Sequence, residues 1–124
     1  VDKLLAGTNI AVITDAGTPG ISDPGEELVR QALAAGVTVT AVPGACACIT
    51  ALISSGLPTR RFTFEAFPPQ DKKEKAEVLA GLKDETRTMV IYEAPHRLQK
   101  TLAELFDTLG DRRSHTLPGT YEAA

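Results

Sequence analysis

Two stretches of the chain concentrate side chains able to do chemistry. The first is Asp15-Ala16-Gly17-Thr18-Pro19-Gly20-Ile21-Ser22-Asp23-Pro24-Gly25, where three glycines and two prolines in eleven residues exclude regular structure. An irregular stretch of that length inside a compact domain usually works, and this one carries Asp15, Thr18, Ser22 and Asp23. Glycine lets a backbone approach a ligand closely, and the amides that open a following helix can bind polar ligand atoms. A shorter turn, Pro43–Ala47, has the same setting, although on its own Pro43-Gly44 reads as a tight strand-to-helix turn. The second dense cluster is Tyr92-Glu93-Ala94-Pro95-His96-Arg97, which brings a carboxylate, an imidazole and a guanidinium near one turn. One reading is a capping turn in which Glu93 pairs with Arg97. The other is a substrate-facing cluster in which Arg97 holds an anion and His96 hydrogen-bonds or moves a proton.

Other chemistries lack their residues. Neither glycine loop matches the phosphate-binding G-x-x-x-x-G-K-[ST] or the dinucleotide-binding G-x-G-x-x-G, and no G-x-S-x-G elbow is present. His96 and His115 have no Cys or His at ligand spacing, so no metal is expected. Cys46 and Cys48 read as small buried thiols; they are too few for a disulfide framework and lack C-x-x-C spacing, which points to a reducing, cytoplasmic compartment.

These clusters need elements to hold them. Hydrophobic periodicity and turn residues predict a short helix over residues 1–6 and buried strands over 10–14 and 37–42. Helices are expected over 26–35, stopped by Gly36, and over 45–55, closed by Gly56 and Pro58. A strand over 62–67 follows, with Phe62 and Phe64 facing one way. Beyond Pro68-Pro69 come a charged helix over 70–83 and a strand over 88–92. An amphipathic helix over 97–109 carries Leu98, Leu102, Leu105, Phe106 and Leu109, and a short strand over 114–117 ends the series. Strands alternating with helices make an α/β domain with a mostly parallel sheet, whose ligands bind outside the carboxyl ends of the strands. Both glycine loops sit at such ends. Pro68-Pro69 is the expected boundary between two packing units, residues 1–68 and 69–124.

The 124 residues are 43% hydrophobic and 23% charged, the composition of a globular domain with its own core. A net charge of −3 argues against an overall basic face, although Arg60-Arg61, Lys72-Lys73-Lys75 and Arg112-Arg113 cluster locally. No apolar run is long enough to span a membrane and no leader opens the chain, so neither membrane insertion nor secretion is expected.

The loop Asp15–Gly25 resembles the signature of the tetrapyrrole methylase superfamily, in its branch of ribosomal RNA small subunit methyltransferase I. Val42-Pro43-Gly44-Ala45, Ser55-Gly56-Leu57-Pro58, Phe64-Glu65-Ala66-Phe67-Pro68 and Tyr92–Arg97 follow in that branch's order and at similar spacing. The resemblance implies a partial tetrapyrrole-methylase-like fold: residues 1–68 as the C-terminal half of a cofactor-binding α/β domain, and residues 69–124 as the start of a second α/β domain. It implies an S-adenosylmethionine-dependent methyltransferase acting on a cytidine ribose 2′-hydroxyl of 16S ribosomal RNA, a homodimer, and a longer protein of which these residues form the middle. By similarity, Asp15, Ala16, Gly17, Thr18, Ile21, Ser22, Pro43, Gly44, Cys46 and Ala47 would line the cofactor, and Glu93, His96 and Arg97 would face the substrate. Near the C-terminus, Leu117, Thr120, Tyr121 and Glu122 match the branch, whereas Thr116 and Gly119 stand where it carries an acidic residue and a lysine.

A ribose hydroxyl is a poor nucleophile at neutral pH, so a proton acceptor helps methyl transfer. Asp15, Asp23, Glu93 and Glu122 are candidates, and the sequence does not choose among them. Two other readings compete with the RNA enzyme: a porphyrin or corrin methyltransferase, and a truncated domain that self-associates without catalysis.

Overall fold

The first turn of each helix shows why it begins where it does. The computed structural model describes residues 1–117. Helix α1 spans Asp2–Leu5 and α2 spans Glu26–Ala34. Glu26 and Glu27 occupy the first turn of α2, where the helix dipole favours negative charge, and Glu27 accepts hydrogen bonds from Arg30 and Gln31 one turn on. The helix ends in a Schellman arrangement: Gly36 takes φ +76°, its amide bonds to the Leu33 carbonyl, and the Val37 amide reaches back to Ala32 at 2.9 Å.

Helix α3 spans Ala47–Ser54, strand β1 Phe62–Phe64, α4 Lys72–Gly81, β2 Thr88–Val90 and α5 Leu98–Leu109, the last entered through a 3-10 turn at Pro95–Arg97. The charged stretch begins its helix at Lys72 because Asp71 caps it, accepting the amides of Lys73 and Glu74 at 3.0 and 2.9 Å. Strands β1 and β2 pair in parallel, with Phe62 opposite Thr88 and Phe64 opposite Val90, and α4 is the crossover between them. Pairing continues past the strand ends, through Glu65 N–H to Val90 O and Tyr92 N–H to Ala66 O, both 2.9 Å. The fold is thus mixed α/β with a parallel sheet and flanking helices. Among the described residues, no helix is long and apolar enough to cross a membrane.

Among the described residues the chain forms two compact units, Val1–Ala47 and residues 48–117. In the first, Ala32 of α2 is buried. In the second, Cys48 and Leu52 of α3, Leu79 of α4, Val90 of β2 and Thr101 of α5 are buried, and α4 packs on α5. Because β1 pairs with β2 across Pro68-Pro69, the strand expected to close the first sheet travels with the second unit.

Several expected strands are absent. Residues 10–14, 37–42 and 114–117 are extended or irregular, and the sheet among the described residues has two strands. A parallel strand exists only through its neighbours' ladder bonds, and these runs are in no sheet among the described residues. Their apolar side chains show it: Ile13 is 87% and Val42 80% exposed. The 62–67 strand stops at Phe64 because Ala66 takes φ +53°, outside the extended region. On α5 the expected apolar stripe is rotated, for Thr101 is the buried position while Leu102 and Phe106 are exposed.

The α4–β2 connection is closed by charge. Glu85 accepts the Arg87 amide at 2.7 Å and is clamped by the Arg87 Nε and Nη2. Arg112 donates to the carbonyls of Glu85 and Lys83. The Arg87 hydrogen bonds hold the Glu85 carboxyl down at about 2. We expect NMR titration of Glu85 to show a midpoint near that value, returning toward 4.5 in Arg87→Ala. Since the folded value is depressed, the stability this clamp contributes is present above the ordinary carboxylate value and lost as pH falls through the folded one.

Candidate functional site

In the first unit, the two glycine-rich turns are joined. The Thr18 amide donates to the Ala45 carbonyl at 2.9 Å, and the Thr18 hydroxyl donates to the same oxygen at 3.2 Å. Gly17 makes this approach possible. It has φ +76°, and a Cβ there would lie 2.8 Å from the Ala45 oxygen. A Cβ on Gly44 would stand 3.0 Å from the Thr18 hydroxyl, so the facing turn is tight as well. Thr14 Oγ1 donates to Asp23 Oδ2 at 2.8 Å and ties the long loop back to its own start. Ser22 takes φ +54°, a conformation L-residues hold only when their surroundings impose it.

Of the residues expected to contact a cofactor, Gly17 and Thr18 are brought against the Gly44-Ala45 turn by this junction. Asp15, Ala16, Ile21, Ser22, Pro43 and Gly44 are exposed, and Cys46 and Ala47 are half-buried at the start of α3. Asp15 makes no hydrogen bond or ion pair among the described residues, whereas Asp23 is engaged by Thr14. A cradle of close-set backbone with small and apolar side chains around it fits an amphipathic cofactor carrying polar and apolar parts. A cavity of about 370 Å³ in this unit lies elsewhere, lined by Gly7, Thr8, Asn9, Val37 and Thr38.

In the second unit, the Tyr92–Arg97 cluster divides. Glu93 and Arg97 meet, with Oε1 and Nε 2.9 Å apart, and both line a cavity of about 410 Å³. His96 is exposed and lies outside that lining. Glu93 is deeply set, with its side chain 5% exposed. Burial alone would raise its pKa. Hydrogen bonds from Thr101 and the Ala94 amide, with the charges of Arg97 and Lys75, outweigh that and leave it lowered. Both readings of Glu93 thus share one geometry: it pairs with Arg97, and the pair faces a cavity.

Sequence reasoning missed Thr101, Lys75 and Glu104. Thr101 Oγ1 donates to Glu93 Oε2 at 2.6 Å and receives Lys75 Nζ at 2.8 Å, while Lys75 pairs with Glu104 at 2.6 Å. The available signal was a threonine set three residues after Leu98 and four before Leu105, inside the apolar stripe of α5. Glu122 lies outside the described residues.

Tyr92 serves the scaffold. Its ring packs edge-on to Phe64 at 5.0 Å and tilted against Phe67 at 5.4 Å, and its hydroxyl accepts the Cys48 amide in the first turn of α3 at 3.0 Å. Phe62 and Phe64 are half-buried, and Phe67 remains exposed. Tyr92→Phe keeps the rings and removes that hydrogen bond, so we expect a loss of about 1 kcal/mol, read by thermal melting as a fall of about 4 °C.

Comparison with known proteins gives this arrangement its context. A family model described as tetrapyrrole (corrin/porphyrin) methylases matches residues 1–118. The chain is 53% identical over 115 residues to the "Ribosomal RNA small subunit methyltransferase I" of Synechocystis sp., covering 93% of this chain and 41% of that protein. It is 50% identical over 113 residues to the protein of the same name from Pasteurella multocida, covering 91% and 40%. With that of Halalkalibacterium halodurans it shares 46% over 125 residues, covering 98% and 43%. The chain thus spans about two-fifths of the length of these relatives. It belongs to the tetrapyrrole (corrin/porphyrin) methylase family.

Proposed function

We propose that the protein is an S-adenosylmethionine-dependent methyltransferase that modifies small-subunit ribosomal RNA at a cytidine ribose 2′-hydroxyl. The observation that carries this reading is the junction of the two glycine-rich turns through Thr18 and Ala45. Relatives named for ribosomal RNA methylation, 46–53% identical over most of the chain, support the substrate class. The division into a cofactor-binding part and a second α/β part belongs to the same proposal, with β1 assigned to the second.

When bound, the cofactor supplies a methyl group on a positively charged sulfur, ready for in-line displacement. The chain's task is then positioning. Residues 15–22 and 43–47 hold the cofactor, largely through backbone groups, and Ile21 and Ala47 give it apolar contact. Transfer to a ribose hydroxyl would release that hydroxyl's proton, which needs an acceptor on this chain. Asp15 suits that role because it is exposed and unengaged among the described residues, whereas Asp23 and Glu93 already accept hydrogen bonds. No metal is required by this chemistry. A homodimer and a cytoplasmic location are part of the proposal.

The test is methyl incorporation from labelled S-adenosylmethionine into small ribosomal subunits, with the product mapped by nuclease digestion and mass spectrometry. The reading expects one ribose-methylated cytidine. Asp15→Asn is expected to lower turnover about 100-fold or more, a larger loss than any it causes in S-adenosylhomocysteine affinity. Methylation of a base, or of a porphyrin in place of RNA, contradicts it.

A further inference from the structure

The most fully built polar feature of the second unit is a chain of side chains beneath its cavity, running Lys75–Thr101–Glu93–Arg97. Three of its four members are withdrawn from solvent: Thr101 is 2% exposed, and the side chains of Glu93 and Lys75 are 5% and 14% exposed. Glu93 is engaged on both oxygens, by Thr101 on Oε2 and by the Ala94 amide and Arg97 on Oε1. A carboxylate so held is a poor proton acceptor and a good anchor. What it pairs with by charge is Arg97, whose Nε lies 2.9 Å from Oε1 without making an aligned hydrogen bond, while its Nη donors have no partner among the described residues.

A guanidinium ion-paired on its Nε side and open at both Nη groups offers donors that match the oxygens of a phosphate. The surrounding charge agrees. Four cations line the cavity (Lys72, Lys75, Arg97 and Lys100) against three carboxylates. Glu93 pairs with Arg97, and Glu104 with Lys75 and, at 3.9 Å, Lys100, which leaves Asp107 as the lining carboxylate with no ion pair among the described residues.

We propose that Arg97 receives a backbone phosphate of the RNA substrate, and that Lys75, Thr101 and Glu93 are positioning residues that aim its guanidinium. This rests on the RNA reading above. It goes beyond that reading by assigning Glu93 to orientation rather than proton transfer, and by giving Thr101 a role that its place in an apolar stripe does not suggest.

The experiment measures binding of a fluorescent small-subunit ribosomal RNA fragment to the protein across a potassium chloride series. Inorganic phosphate is titrated in parallel as competitor, and S-adenosylhomocysteine affinity is the control. Arg97→Ala is expected to weaken RNA binding about tenfold and to reduce the slope of log affinity against log salt by about one. Thr101→Val, which removes only the relaying hydroxyl, is expected to weaken RNA binding about threefold, with Thr101→Ser restoring it. Cofactor affinity stays unchanged in all three. A purely structural role for Thr101 would lower melting temperature and both affinities together. RNA binding at wild-type affinity and salt slope in Arg97→Ala and Thr101→Val overturns the inference and leaves the RNA reading standing. A wild-type protein that binds no RNA overturns both. Phosphate that competes with RNA in the wild type but not in Arg97→Ala supports the assignment to Arg97, and phosphate that shifts a site unaffected by Arg97→Ala overturns it.

Discussion

Replacing Gly17 with alanine is expected to weaken S-adenosylhomocysteine binding about 30- to 150-fold. Two costs combine. The backbone at Gly17 has φ +76°, where an L-residue pays roughly 1 kcal/mol or more. The added Cβ would also stand 2.8 Å from the Ala45 carbonyl oxygen, a backbone atom that cannot rotate away. The two turns must separate, and the Thr18–Ala45 hydrogen bonds, worth about 1 kcal/mol in net terms, go with them. The sum, about 2–3 kcal/mol, converts to that range of affinity. Gly20→Ala separates the two contributions. Gly20 also has positive φ, +88°, but a Cβ there meets nothing within 4 Å, so its effect is confined to the conformational part, about fivefold.

The second large effect is on stability. Glu93→Ala leaves Arg97 without its carboxylate, orphans the Thr101 hydroxyl and removes a charge that Lys75 faces. Breaking a buried pair from one side costs about 3 kcal/mol even toward the mild end of the observed range, the end that suits a pair bordering a cavity. Thermal melting should fall by about 10 °C. Glu93→Gln, which keeps an acceptor for Thr101 but not the charge, should fall about half as far. The pH dependence follows in sign. The folded pKa of Glu93 lies below its ordinary value of 4.5, so its contribution is complete above that value and is lost as pH falls through the folded one. Wild-type and Glu93→Gln melting temperatures should therefore converge as pH falls through the folded pKa of Glu93. A gap that stays constant down to pH 2 would contradict the ionised pair.

How far these features were legible in sequence depends on the range of the interaction. Gly36, Asp71 and Gly110 act on their own neighbours, and the helices they bound fall within two residues of where periodicity and capping place them. The two glycine loops were legible for the same reason. Their junction was not, because Thr18 and Ala45 are 27 residues apart and nothing local in either turn names its partner. Strands failed more often than helices. Residues 10–14 and 37–42 have the apolar, β-branched character of buried strands, yet that character states only that such a run needs covering, not that neighbours are at hand. Thr101 was hidden by the approximation that an apolar stripe is apolar throughout. The buried position of α5 is a polar one, satisfied by Lys75 from another helix and Glu93 from the loop after β2.

The central claim is that the Thr18–Ala45 junction is the floor of a cofactor site, and calorimetric titration of S-adenosylhomocysteine into the wild-type and Gly17→Ala proteins tests it most directly. The account predicts one site per chain in the wild type and a loss of about 30-fold or more in the variant, with melting temperature showing both to be folded. Equal dissociation constants for the two folded proteins would contradict it and move the cofactor away from these turns.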